Sequence, residues 1–68
     1  MNSQNKIISV IIPTYNEYKN LPKLLDQLLN LEIIFEKEII IVDDNSSDGT
    51  QNLARSYSQN DRRIRLIS

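Results

Sequence analysis

Two adjacent carboxylates, Asp43 and Asp44, stand where the apolar run Ile39-Ile40-Ile41-Val42 ends and the polar stretch Asn45-Ser46-Ser47-Asp48-Gly49-Thr50 begins. An ionised carboxylate only accepts hydrogen bonds, so it suits the N–H and O–H groups of a base or ribose. Backbone N–H groups of the loop and helix start behind it suit phosphate. The same residues can do plainer work, because Asp commonly caps the turn after a strand. A second cluster, Thr14-Tyr15-Asn16-Glu17, follows another apolar run and Pro13. If the two runs are neighbouring parallel strands, both clusters open on one crevice at the strands' carboxyl ends, where open α/β sheets bind ligands. Tyr15 would then stack on a base while Glu17 and Asp44 offer acceptors; the plainer reading of Tyr15 is a half-buried loop aromatic.

The elements that must position these residues follow from the pattern. Ile7-Ile8-Ser9-Val10-Ile11-Ile12 and Ile39-Ile40-Ile41-Val42 are nearly continuous in β-branched residues, which reads as strands buried on both faces of a parallel sheet. Pro13, without an N–H, is expected to end the first ladder. Leu21, Leu24, Leu25, Leu28 and Leu29 follow the spacing of one helix face, with Asn20 as expected N-cap and Pro22 in the first turn. Leu31 to Phe35 is ambiguous between helix end and connection, and Glu36-Lys37-Glu38 reads as a polar break. A second helix is expected from Ser46 or Ser47 to about Ser58, with Asp48 in its first turn and a thin apolar face of Leu53, Ala54 and Tyr57. Asn60-Asp61 reads as a turn, and Ile64 to Ile67 as a third strand. Residues 1–6 read as a flexible N-terminus, and 7–68 as the folded part.

The order β-α-β-α-β has a consequence. Parallel crossovers are right-handed in about 98% of cases, so strands lying side by side in sequence order put both helices on one face. The other face would be bare, although the strands carry Ile and Val at nearly every position. The chain therefore reads as the opening part of a larger domain, or as a protein that assembles through that face.

Composition excludes several functions. A chain of 68 residues is one small domain, burying only about 60% of its unfolded surface. A net charge of −1 gives no electrostatic reason to expect nucleic acid or an anionic membrane. Without Cys or His there is no disulfide and no soft metal site, so any cation would be a hard one held by oxygen. No apolar run approaches the roughly 20 residues of a membrane helix, and no signal-peptide pattern is present, so a cytoplasmic chain is expected. Asp44-x-Ser46-x-Asp48-Gly49 imitates half of a calcium loop, but Arg55 occupies the position that requires Glu. A single glycine excludes the Rossmann fingerprint and the P-loop. The strand ending in Asp43-Asp44 also resembles the acidic pocket of phosphorylation-receiver domains, although there the acidic pair follows the first strand, and no later strand-end Asp is present here.

Two segments together, Ser9-Val10-Ile11-Ile12-Pro13-Thr14-Tyr15-Asn16-Glu17 and Ile40-Ile41-Val42-Asp43-Asp44-Asn45-Ser46-Ser47-Asp48-Gly49-Thr50, resemble the start of family 2 glycosyltransferases with the GT-A fold. Asn20-Leu21-Pro22 and the Ser-Asp-Gly-Thr ending are most similar to polyprenyl-phosphate (dolichyl-phosphate) mannosyl- and glucosyltransferases. The resemblance implies an α/β, three-layer, Rossmann-like nucleotide-diphospho-sugar transferase fold, of which only the first β-α-β-α-β part is present. It implies that Pro13, Tyr15, Glu17, Val42 and Asp44 bind the nucleotide of a GDP- or UDP-sugar, with Asp44 on the base or ribose. Thr14, Asn16, Asp43, Asn45, Asp48 and Gly49 would support the loops. By the same resemblance the sugar passes, with inversion, to a polyprenyl phosphate or other acceptor such as a saccharide hydroxyl, at the cytoplasmic face of a membrane. Mg²⁺ or Mn²⁺ would bridge the diphosphate in the complete enzyme through a D-x-D motif beyond this chain, which itself binds no metal and holds no catalytic residue. The 68-residue chain alone is then expected to be inactive. The alternatives are a non-enzymatic nucleotide-binding or assembly module and a receiver-like regulatory fragment.

Overall fold

The computed structural model describes residues 6–32 and 35–68. The chain runs β1 (Ile7–Thr14), α1 (Leu21–Leu29), β2 (Glu36–Asp43), α2 (Thr50–Asn60) and β3 (Ile64–Ile67). Of the N-terminal segment expected to be flexible, 1–6, all but Lys6 lie outside the described residues, as does the centre of the ambiguous run, 33–34. All pairing is parallel, in the order β1-β2-β3.

Both helices cover the same face. Leu21 and Leu25 of α1, Ala54 of α2, and Ile12, Ile39, Ile41 and Ile64 of the strands form one buried cluster, with Leu28, Leu29, Leu53 and Tyr57 packed against it. The described residues thus contribute two layers of the α/β architecture. The opposite face is open, leaving Ile11 64%, Ile7 56% and Ile67 51% exposed. Alternation with period two sets this division, since neighbouring strand residues point to opposite faces.

Four boundaries differ from expectation, each for a local reason. Pro13 does not end its ladder; β1 continues to Thr14, with Pro13 opposite Val42 and Thr14 opposite Asp43. In a parallel ladder alternate residues direct both backbone groups to the same neighbour. Because the Thr14 carbonyl accepts from the Asp44 N–H across this pair, the Pro13 nitrogen faces the free edge, where no donor is needed. Glu36-Lys37-Glu38 is strand, not a break. Its side chains are used: Glu38 accepts from Ser9 Oγ at 2.9 Å and pairs with Arg65 at 3.5 Å, while Lys37 Nζ donates to the Leu28 and Leu31 carbonyls at 2.8 and 2.5 Å, closing the end of α1. Helix α2 begins at Thr50, beyond Ser46 and Ser47, and runs to Asn60, beyond Ser58. Asn20 sits at the N-cap of α1, but its side chain makes no capping hydrogen bond.

Because identical residues lie on opposite faces, their deletion separates the two environments. Ile39→Ala, at a fully buried position, is expected to lower unfolding stability by about 2–5 kcal/mol, whereas Ile11→Ala on the open face changes it by less than about 0.5 kcal/mol. Urea denaturation midpoints of the two variants check this, and equal losses would contradict the one-sided core.

Candidate functional site

Among the described residues the buried polar ones, Thr14, Asp43 and Thr50, all stand at the carboxyl end of the sheet, and each is satisfied by hydrogen bonds. Asp43 is the hub. Its Oδ1 accepts from Thr14 Oγ1 at 2.7 Å and from Ser46 Oγ at 2.6 Å, and its Oδ2 accepts from the Ser46 N–H at 2.8 Å. Burial opposes its charge, but the hydrogen bonds from Ser46 and Thr14 outweigh burial and lower its pKa from 3.8 to about 2. The first strand, the second strand and the turn after it are tied at one carboxylate.

Beyond this hub, three successive backbone N–H groups of the β1–α1 loop donate to side chains of the β2–α2 loop. Asn16 donates to Ser46 Oγ at 2.8 Å, Glu17 to Thr50 Oγ1 at 2.9 Å, and Tyr18 to Asp48 Oδ2 at 3.2 Å. The reverse link is Ser47 N–H to Asn16 Oδ1 at 2.9 Å. Asp48 also accepts from the Thr50 N–H at 3.0 Å and from the Thr50 hydroxyl, which lowers its pKa. It therefore caps α2 from just outside the helix rather than sitting within its first turn. Asn16 and Asn45 adopt φ of 53° and 57°, a left-handed conformation that Asn tolerates better than other side chains. Gly49 has φ 95°, a conformation that favours glycine, and a Cβ there would come within 3.2 Å of the Tyr18 ring, which would have to give way slightly.

The residues assigned to a ligand are placed differently. Pro13 and Val42 are register partners on the open face, and Tyr15 and Asp44 continue β1 and β2 as exposed residues. Among the described residues no hydrogen bond reaches the Asp44 carboxylate, although its backbone N–H is held by Thr14. Glu17 is half-buried and lines a cavity of about 210 Å³ between the end of β1 and the start of α1, together with Pro13, Asn20 and Leu24. The structure thus gathers Pro13, Tyr15, Val42 and Asp44 at two adjacent strand ends, with Glu17 set toward the helix. Ser46, Thr50 and Asn20 were not singled out by sequence reasoning as site residues. Asp43-x-x-Ser46 was the available signal for the first, as an Asp folding the backbone back on itself.

A cavity of about 750 Å³ opens at the amino ends of the strands, among Ile7, Phe35, Lys37 and Arg63. Two of its three cations are engaged, Lys37 on the Leu28 carbonyl and Arg63 on Asp61 at 2.8 Å. No three Asp, Glu, His or Cys side chains converge to hold a metal among the described residues. With Asp43 fully engaged and Asp44 alone, this part of the chain does not fit a divalent-cation centre.

Residues 9–68 match the model of the family described as glycosyl transferase family 2. The chain belongs to that family. This placement identifies the sheet as the N-terminal part of a GT-A, Rossmann-like fold and sets the receiver-like reading aside. The family 2 chain is 41% identical to the dolichyl-phosphate beta-glucosyltransferase of Mus musculus, over 84% of this chain and 20% of that protein. It is 40% identical to the enzyme of the same name from Dictyostelium discoideum, over 93% and 22%, and 39% identical to the undecaprenyl-phosphate 4-deoxy-4-formamido-L-arabinose transferase of Aeromonas hydrophila, over 79% and 17%. It spans about a fifth of the length of these curated relatives. No helix among the described residues is long and apolar enough to cross a membrane.

The Asp43 hub carries a pH signature. Its folded pKa lies below 3.8, so its contribution is complete above the unfolded value and is lost as pH falls through about 2. Urea titrations between pH 5 and 2 are expected to record a loss on the order of 1–2 kcal/mol from this group, with Asp43→Asn removing that part of the slope. An unchanged slope in the variant would mean that the hub carbonyl geometry, not the charge, holds the loop.

Proposed function

We propose that this chain is the donor-nucleotide part of a glycosyltransferase that moves a sugar from a nucleoside-diphosphate sugar, GDP- or UDP-linked, to a polyprenyl phosphate. The single observation that carries the reading is the contrast between two neighbouring carboxylates. Asp43 is buried and saturated, whereas Asp44 is exposed and without a protein donor among the described residues. An acceptor held rigidly by its own backbone and facing solvent at a strand end is suited to a ribose hydroxyl or a base N–H. Exposed Tyr15 supplies an aromatic face for stacking, and Pro13 with Val42 supplies an apolar floor beside it. Glu17 adds a second acceptor from the helix side.

The relatives' names, which specify dolichyl and undecaprenyl phosphates, support this acceptor class. A saccharide acceptor is the variant of this reading. Transfer itself, with Mg²⁺ or Mn²⁺ on the diphosphate, belongs to the complete protein working at the cytoplasmic face of a membrane; the present residues bind and orient the nucleotide and are inactive alone. A second reading, assembly of copies through the open sheet face, is favoured by the exposure of Ile7, Ile11 and Ile67. Sedimentation at increasing concentration separates it, since a strict monomer would remove it.

The test is a ¹H–¹⁵N NMR titration of the chain with GDP and UDP, with and without Mg²⁺ or Mn²⁺. Shifts are expected to concentrate at Tyr15, Glu17 and Asp44. Asp44→Ala should weaken binding by roughly 1.5–3 kcal/mol and Tyr15→Ala by on the order of 1 kcal/mol, with peak dispersion kept. Affinity equal to the parent in both variants would remove the site.

A further inference from the structure

Asn20 occupies the position from which a side chain ordinarily satisfies the first turn of a helix. Its type is among the best for that task. Yet its side chain makes no capping bond. Nδ2 instead donates to Glu17 Oε1 at 3.1 Å, and the backbone closes the same turn, with the N–H groups of Asn20 and Leu21 both donating to the Glu17 carbonyl at 3.1 and 2.9 Å. The Asn20 backbone is itself helical, with φ −93° and ψ −25°, so its side chain is not in capping geometry and its amide meets the Glu17 carboxylate instead.

That carboxylate lies beside the 210 Å³ cavity lined by Pro13, Glu17, Asn20 and Leu24. The Glu17 backbone is itself fixed, its N–H donating to Thr50 Oγ1. Only the side-chain torsions of Glu17 remain to be set, and the Asn20 amide sets them by occupying one oxygen. Among the described residues Oε2 takes no hydrogen bond. Since a carboxylate can only accept, the group it would meet is an N–H or O–H donor.

We infer that Asn20 is a positioning residue: its amide holds Glu17 at the β1–α1 cavity, with one carboxylate oxygen kept available for a donor group of the nucleotide. The inference rests on the donor-nucleotide reading of Glu17 and extends it to a residue outside the strand ends. The alternative is that the Asn20–Glu17 contact merely shapes the turn before α1.

A double-mutant cycle separates the two, with GDP and UDP as probes and binding followed by NMR. Asn20→Ala is expected to weaken binding of the preferred nucleotide about three- to tenfold in the parent chain and to have no effect in Glu17→Ala. Asn20→Asp keeps the side-chain shape but removes the amide donor, and should keep the parent's urea stability while binding as weakly as Asn20→Ala. A purely structural role predicts the reverse: affinity following stability, and the same loss with or without Glu17. If Glu17→Ala leaves affinity unchanged, the donor reading of Glu17 fails; if it weakens binding but Asn20→Ala does not, the positioning inference alone fails. A measurement without nucleotide guards against absent binding. Three-bond couplings across the Glu17 χ1 and χ2 bonds should report one rotamer in the parent and averaging in Asn20→Ala. Averaged couplings already present in the parent would overturn the inference.

Discussion

Asp43 places a negative charge at the buried end of the central strand, and the architecture around it is arranged so that this charge never lacks a donor. Unpaired, such a carboxylate would cost several kcal/mol or take up a proton. Here the neighbouring strand contributes the Thr14 hydroxyl, and the turn contributes both the hydroxyl and the N–H of Ser46. Ser46 Oγ then accepts from the N–H of Asn16, so the same hydroxyl passes the constraint to the first loop. Beyond it, two separate bonds tie the loops further along, Glu17 to Thr50 and Tyr18 to Asp48.

The alternation of a strand explains how adjacent carboxylates come to have unlike tasks. Asp43 shares the covered face with Ile39 and Ile41, whereas Val42 belongs to the open face. Asp44 follows the last strand residue and is exposed. A register shift of one residue would exchange the two environments, exposing the hub and burying an acceptor without donors. The eight-residue pairing of β1 with β2 prevents this, and it includes Pro13 because β1 is an edge strand whose proline nitrogen faces outward. Treating proline as a strand terminator overlooked the direction in which its missing donor points.

Much of the fold was legible in the residues. The leucine spacing of α1, the two β-branched runs and the one-sided placement of the helices all follow from periodicity and crossover handedness. The boundaries were less so, because polar residues were read by their average behaviour. Glu36, Lys37 and Glu38 look like a break until Lys37 is seen capping α1 and Glu38 is seen bridging Ser9 and Arg65. Ser46 and Asp48 look like helix starters, yet their oxygens serve the other loop, so α2 waits until Thr50. Asn20 has the composition of a cap and not the contact. For Glu38, Ser46 and Asp48 the deciding partner is distant in the chain and invisible to local propensity, whereas the Asn20 amide goes to Glu17, three residues before it. At the strand ends, the spacing of the two clusters pointed to a common crevice, but the hydrogen bonds joining them depend on side-chain directions that spacing does not encode.

The two faces of the sheet also explain why a site here can be precise in so small a domain. Thr14 and Asp43 face inward, where the packing of Ile12, Ile39 and Ile41 restricts them; Pro13 and Val42, one residue away, face outward as partners in the same ladder. Each outward residue therefore takes its position from the inward residue next to it in the chain, and the Asn16 loop inherits it through the Asp43 hub. Hydrophobic burial cannot distinguish these outward positions, since Ile7, Ile11 and Val42 are equally apolar and all exposed. What singles out the carboxyl end is the convergence of buried polar groups there: in a sheet with one covered face, satisfied polarity at the strand ends marks where rigidity has been concentrated.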